Sequence, residues 1–130
     1  MPQLGGDLFL TDGGIETTLI FLEGWDLPYF AAFDLMKDKQ GRDALRKYYE
    51  RYIDVARSGG HGFILESPTW RASSDWGHKL GYSETALAAV NADAIALRQQ
   101  LRGAHETECM PMVISGCVGP RAVTVTTPVL

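Results

Sequence analysis

Between Gly41 and Ser58 apolar side chains return every three or four positions, at Leu45, Tyr48, Tyr49, Tyr52, Ile53 and Ala56. That spacing gathers them on one face and predicts a helix over the stretch. Ser58, Gly59 and Gly60 end it, because glycine is favoured where a chain leaves a helix through a left-handed turn. The period then changes. "GFILES" is a short, continuous apolar run from Gly62 to Glu66 stopped by Pro68, which predicts a buried strand. A polar loop, "PTWRASSDWGHKLGY", leads to Ser83, a good N-cap for a second helix running to about Leu101. Leu87, Val90, Ala94, Leu97 and Leu101 form its apolar face, and "PMVISG", Pro111 to Gly116, is a third strand.

The chain opens on another short apolar run, Leu8 to Thr11, which predicts the first strand and ends in an acidic turn carrying Gly13 and Gly14. From Asp12 to about Gln40 no single period holds: "IETTLIFL" suggests a helical turn, and the aromatic stretch "GWDLPYFAAFDL" follows. Connections of this length inside a compact domain usually serve function. The order is strand, long loop, helix, strand, loop, helix, strand, which implies α/β architecture with parallel strands and right-handed crossovers. Parallel sheets need helices on both faces or closure into a barrel, and three strands with two helices supply neither. The expectation is part of a larger α/β fold.

Composition narrows the class. With 45% hydrophobic and 22% charged residues in 130, the chain has globular composition. A formal charge of −4 and no basic run argue against nucleic acid as a partner. No stretch resembles a signal peptide or approaches the ~18 apolar residues of a membrane span, so a cytoplasmic location with Cys109 and Cys117 as reduced thiols is expected.

Ligands of α/β folds bind at the C-terminal ends of the strands. Those ends are "TDGG", "ESPTW" and "GCVGPR". Asp12 and Glu66 can jointly hold an ammonium group; the competing structural reading gives Asp12 an Asx turn and pairs Glu66 with Arg71. "GGHG", Gly59 to Gly62, follows a helix instead of opening one, so it is a C-cap and not a phosphate cradle. His61 and His78 read as surface residues. So does His105, which lies four residues before Cys109, but no second pair completes a metal site. Trp25, Tyr29, Phe30 and Trp70 fall in loops near the same rim, either covering a core or caging a positively charged methyl donor.

In order and spacing, "LTDGGIETTL", "GGHGFILESPTWRAS", "VNADAIALRQQL" and "VISGCVGPR" resemble the N-terminal part of the homocysteine S-methyltransferase family, betaine- and S-methylmethionine-dependent members included, over about Leu8 to Arg121. The resemblance implies the first three or so βα units of a (β/α)8 TIM barrel, and transfer of a methyl group from S-methylmethionine, S-adenosylmethionine or betaine to the homocysteine thiol, as in methionine biosynthesis. It implies that Asp12 lies near the homocysteine amino group, that Gly13 and Gly14 allow close approach, and that Glu66, Ser67, Thr69 and Trp70 line the pocket. Ser67 stands where many members have Thr, and Arg71 where some have Tyr. The family's zinc, which makes the substrate thiol a thiolate, is held by three cysteines expected beyond Leu130. Cys117 is not at a ligand position and is expected to be a small buried apolar residue.

Domain expectations follow: residues 1–121 as a partial homocysteine-binding barrel domain, and 122–130, "AVTVTTPVL", as a frameshifted tail. Codons permitted for that tail, read with the first two bases skipped, encode Gly-Asp-Gly-Tyr-Asp-Pro-Gly-Ala, which looks like the continuation common in relatives. A chain truncated there is expected to be catalytically incomplete. Two other readings stay open: a non-catalytic amino-acid-binding fragment that self-associates through open sheet edges, and an unrelated barrel or doubly wound enzyme using Asp12 and Glu66 as acid and base.

Overall fold

A capping carboxylate sets where the first crossover helix begins. In the computed structural model, which describes residues 1–121, the Asp38 side chain accepts a hydrogen bond from the Gly41 amide at 2.7 Å. It thereby opens α2, Lys39–Gly59, two residues ahead of the expected start. Gly60 closes this helix in the left-handed conformation, with φ 68°. The other elements, in chain order, are β1 (Phe9–Thr11), α1 (Ile15–Thr17), β2 (Gly62–Glu66), α3 (Ser74–Lys79), α4 (Glu84–His105) and β3 (Met112–Ser115). Short helical turns, Thr18–Leu22, Pro28–Phe30 and Ala32–Lys37, fill the connection between α1 and α2. The tail at 122–130 lies outside the described residues.

The three strands form one parallel sheet in the order β1-β2-β3, as the alternation of elements implies. It is the sheet of an α/β domain, consistent with part of a barrel of this kind. Register pairs Leu10 with Phe63, Phe63 with Met112 and Leu65 with Ile114. These residues pack with Tyr48, Tyr49, Ile53 and Ala56 of α2 and Leu101 of α4 in one apolar cluster. A second cluster joins Leu19, Phe33 and Met36 from the long connection to Leu45 of α2 and to Leu87, Val90, Ala94 and Leu97 of α4. Burying one large apolar side chain stabilises by about 1.5–3 kcal/mol, so these two clusters, more than helix propensity, hold the crossovers against the sheet. The connection between α1 and α2 is therefore core as well as loop.

Two expectations are corrected. The segment after β2 is not wholly loop: Ser74–Lys79 forms α3, because Trp76 and Gly77 bury there and Gly77 lies tight against the Leu87 side chain of α4. The second crossover helix runs past Leu101 to His105. Arg102 bonds Glu106 at 2.9 Å and His105 reaches Glu50 at 3.2 Å, so the polar linker supplies the partners that extend it. The expected cap holds, with Ser83 accepting from the Ala86 amide at 3.1 Å.

Candidate functional site

The C-terminal ends of the strands surround a cleft of about 360 Å³, lined by residues that include Asp12, Gly13, Gly14, Glu66, Ser67 and Trp70. Of the seven residues the sequence nominates, Thr69 alone turns away. Its hydroxyl donates to the Cys117 carbonyl at 2.7 Å. Three turns meet in this cleft because a parallel sheet brings every strand's C-terminal end to one edge.

The Asp12 turn is built from below. Gly14 sits at φ 64°, a conformation open to glycine at little cost, and α1 starts immediately after it. The Tyr48 hydroxyl lies 3.0 Å from both Asp12 Oδ2 and the Gly13 carbonyl oxygen, donating to one at a time. Tyr52 donates to the same carbonyl at 2.9 Å. Both tyrosines come from α2, where the sequence pattern shows only an apolar face. A tyrosine buried on such a face needs a partner for its hydroxyl, and that need was the available signal.

The β2 turn is closed by a ring of hydrogen bonds. Ser67 and Thr69 hydroxyl oxygens are 2.7 Å apart, Thr69 donates to the Cys117 carbonyl, and the Cys117 amide donates to Ser67 Oγ at 2.9 Å. Thr69 has one proton and spends it on Cys117, so Ser67 donates to Thr69. The ring ties the end of β2 to the chain leaving β3. Asn91, the polar residue of the "VN" pair in α4, donates to the Ala72 carbonyl at 3.2 Å and holds the next stretch of the same loop.

Beneath the rim lies a residue that the sequence pattern does not single out. Arg98 shares the buried face of α4 and is 0% exposed. Its Nε donates to the Glu66 carbonyl at 3.2 Å, and its guanidinium lies 3.8 Å from the centre of the Tyr49 ring. Nη1 and Nη2 have no partner among the described residues, and burial pulls the guanidinium pKa down. An Arg inside a helical apolar stripe reads as an outward-facing residue unless its neighbours are known, so its position alone gives no warning.

The cleft is acidic. Burial is the main cause that raises the Asp12 carboxyl above its ordinary 3.8; the Tyr48 hydrogen bond opposes it, the Glu66 charge adds to it, and Arg98 opposes it weakly. Glu16, also on the cleft wall, is raised mainly by burial. Among the described residues Asp12 Oδ1 is buried without a partner. A cation entering between Asp12 and Glu66 would relieve their mutual repulsion.

Several structural expectations change at this rim. Glu66 does not pair with Arg71: the Arg71 guanidinium stacks 4.2 Å from the Trp70 ring centre and 4.0 Å from that of Trp76. Trp25, Tyr29 and Phe30 do not join Trp70 on the cleft wall; Trp25 packs on the core and Tyr29 lies 5.7 Å from Trp76. Cys117 is not core filler. It is half-buried on the cleft wall, and burial together with nearby Glu66 pushes its thiol up to about 11. Cys109 is exposed, and His105 is engaged with Glu50 and Arg57. No three His, Cys, Asp or Glu side chains converge on a metal position among the described residues, so these residues do not fit a three-thiolate zinc site. No helix among them is long and apolar enough to cross a membrane.

A parallel β/α sheet with a carboxylate-lined cleft at its C-terminal edge defines an α/β domain with a concave, acidic site of the kind that takes small ligands. The sequence model of the homocysteine S-methyltransferase family matches residues 9–128. The chain belongs to that family, and the family resemblance carried by the turn motifs is borne out. No curated protein and no solved structure matches the chain.

Proposed function

We propose that the cleft is the homocysteine-binding rim of a methyltransferase, with Asp12 and Glu66 receiving the substrate's ammonium group and the Gly13–Gly14 turn letting the amino-acid backbone approach. The observation that carries this reading is the convergence of both carboxylates and the paired glycines on one cleft. The Tyr48 hydroxyl and buried Arg98 favour the ionised form of Asp12, the form that binds an ammonium. In the complete reaction the thiol sulfur gives up its proton and takes a methyl group from S-methylmethionine, S-adenosylmethionine or betaine, the donor's sulfur or nitrogen keeping the electron pair of the broken bond, to give methionine. A bound zinc would lower the pKa of the substrate thiol, but the described residues do not fit a three-thiolate site for it. The residues described here bind and orient; a neutral thiol is a poor nucleophile, and they include no set of three thiolates to hold a metal that would activate it. We therefore read this chain as catalytically incomplete.

Titrating homocysteine into the 130-residue protein, followed by NMR of the Gly13 and Gly14 amides, tests the rim. Saturable shifts that vanish in Asp12→Asn are expected, with no methionine formed from any of the three donors. Equal binding by the variant removes the assignment of Asp12, and turnover by the purified chain removes the incompleteness.

A further inference from the structure

Ser67 and Thr69 hold Cys117 by its amide and its carbonyl, and the chain leaving β3 comes closer still two residues later. Gly119 lies against Trp70: a Cβ there would overlap the Trp70 carbonyl oxygen and fall 2.6 Å from Cδ1 of the indole, well inside the roughly 3.5–4.0 Å of ordinary carbon–carbon contact. Gly119 is not one of the glycines in the left-handed region, so what it supplies is space for a close approach and not backbone freedom. Val118, between it and Cys117, points to solvent and is 96% exposed. Trp70 borders two cavities: it lines the acidic cleft, and with Thr69, Asn91, Cys117 and Gly119 it lines a second one of about 120 Å³. The Arg71 guanidinium packs on its ring at 4.2 Å. The indole is thus held at its Cδ1 edge by Gly119 and on its face by Arg71, which fixes one wall of the cleft.

We propose that Gly119 is a positioning residue of the cleft: by carrying no side chain it lets the chain leaving β3 seat on Trp70, and so sets where the indole stands on the cleft wall. Any larger residue has to push Trp70 and the β3 exit apart, because part of the overlap is with backbone, which no change of rotamer relieves. Thr69, next to Trp70, is tied to Cys117, two residues from Gly119. The same displacement therefore pulls on the ring that joins the two turns and moves Ser67 as well as Trp70, both of them cleft residues. Gly116, on the same exit from β3, is the contrast, since a Cβ there would meet nothing within 4 Å. The seating of Trp70 is independent of any ligand; its consequence for homocysteine rests on the cleft being a methyltransferase rim.

The test compares Gly119→Ala with Gly116→Ala in the 130-residue protein. NMR reads the Trp70 indole N–H and the Cys117 amide, and homocysteine affinity is taken from the Gly13 and Gly14 amides. Gly119→Ala, folded by circular dichroism, should move the Trp70 and Cys117 signals, leave the indole of core-packed Trp25 in place, and bind homocysteine about tenfold more weakly, the scale of one well-placed polar contact. Gly116→Ala should match the wild type in every reading. Trp70 and Cys117 signals left in place by Gly119→Ala overturn the proposal, and so does a moved Trp70 with unchanged homocysteine affinity, or an equal effect from Gly116→Ala. Where Gly119→Ala does not fold, the wild-type cross-peak between Gly119 Hα and Trp70 Hδ1 decides: its presence supports the seating and its absence overturns it. A wild type that binds no homocysteine removes the methyltransferase rim, while the Trp70 and Cys117 signals still decide what sets the indole, so the two failures are distinguishable.

Discussion

Replacing Ser67 by alanine removes two bonds of the ring that joins the β2 and β3 turns: the one it donates to Thr69 and the one it accepts from the Cys117 amide. At about 0.5–1.5 kcal/mol net for each bond, the loss is roughly 1–3 kcal/mol, with no large change in apolar burial to offset it. Thr69→Val removes the shared bond and the one to the Cys117 carbonyl. The shared bond is counted in both single variants but lost once in the double variant. The double variant should therefore be less destabilised than the sum of the singles, by about 0.5–1.5 kcal/mol. Ser67→Thr keeps the hydroxyl and should stay within about 0.5 kcal/mol of the wild type. Urea unfolding with linear extrapolation measures all of these proteins, provided the slope m is unchanged. Strict additivity, or a Ser67→Ala protein as stable as the wild type, would refute the ring.

Two further outcomes follow from the charges at the rim. Burial raises the folded-state pKa of Asp12 above 3.8, so its contribution to stability is fully present below the unfolded value and is lost as pH rises through the folded one. Asp12→Asn should accordingly melt higher than the wild type at pH 7, with the gap shrinking toward pH 3.8; a pH-independent gap, or a less stable variant at pH 7, contradicts the sign. Arg98→Met should cost little stability, within about 1 kcal/mol, because the lost packing is offset by release of a buried cation with unpaired nitrogens. Carbon-13 NMR of the Asp12 carboxyl should nonetheless show its titration moving to higher pH, since Arg98 is one of the groups that lower it. An unmoved midpoint excludes Arg98 from the electrostatics of the cleft.

Elements with a strong period are legible in the amino-acid order alone. The apolar faces of α2 and α4 and the strand Gly62–Glu66 lie where the pattern places them. What a pattern cannot resolve is polar atoms inside apolar stripes. Tyr48, Tyr52 and Arg98 occupy positions that a 3.6-residue repeat assigns by spacing alone, yet their polar atoms decide the shape and charge of the Asp12 and Glu66 turns. Trp76 shows the complementary failure: α3 is only six residues long, too short for a repeat to appear, and tertiary burial creates it. Cys117 escapes the pattern for a related reason, since its place beyond the end of β3 puts it on the cleft wall instead of in the core.

At Asp12 the stability of the folded chain and the proposed binding of an ammonium group stand in opposition. Half-burying Asp12 beside Glu66 is unfavourable for the folded chain, as the raised carboxyl pKa records. A chain selected for stability alone would not keep an unpartnered Oδ1 there. The surrounding groups reduce this burden without removing it: Tyr48 offers a single proton shared with the Gly13 carbonyl, and Arg98 acts from behind the Glu66 backbone without reaching Asp12 through a hydrogen bond. An ammonium group supplies what they leave out, a full positive charge with several donors at the exposed side of the carboxylate. Binding it should draw the Asp12 pKa down and release protons at pH values near the folded-state pKa. The unrelieved burial of Asp12 is thus the charge deficit that an ammonium ligand at the proposed rim would fill.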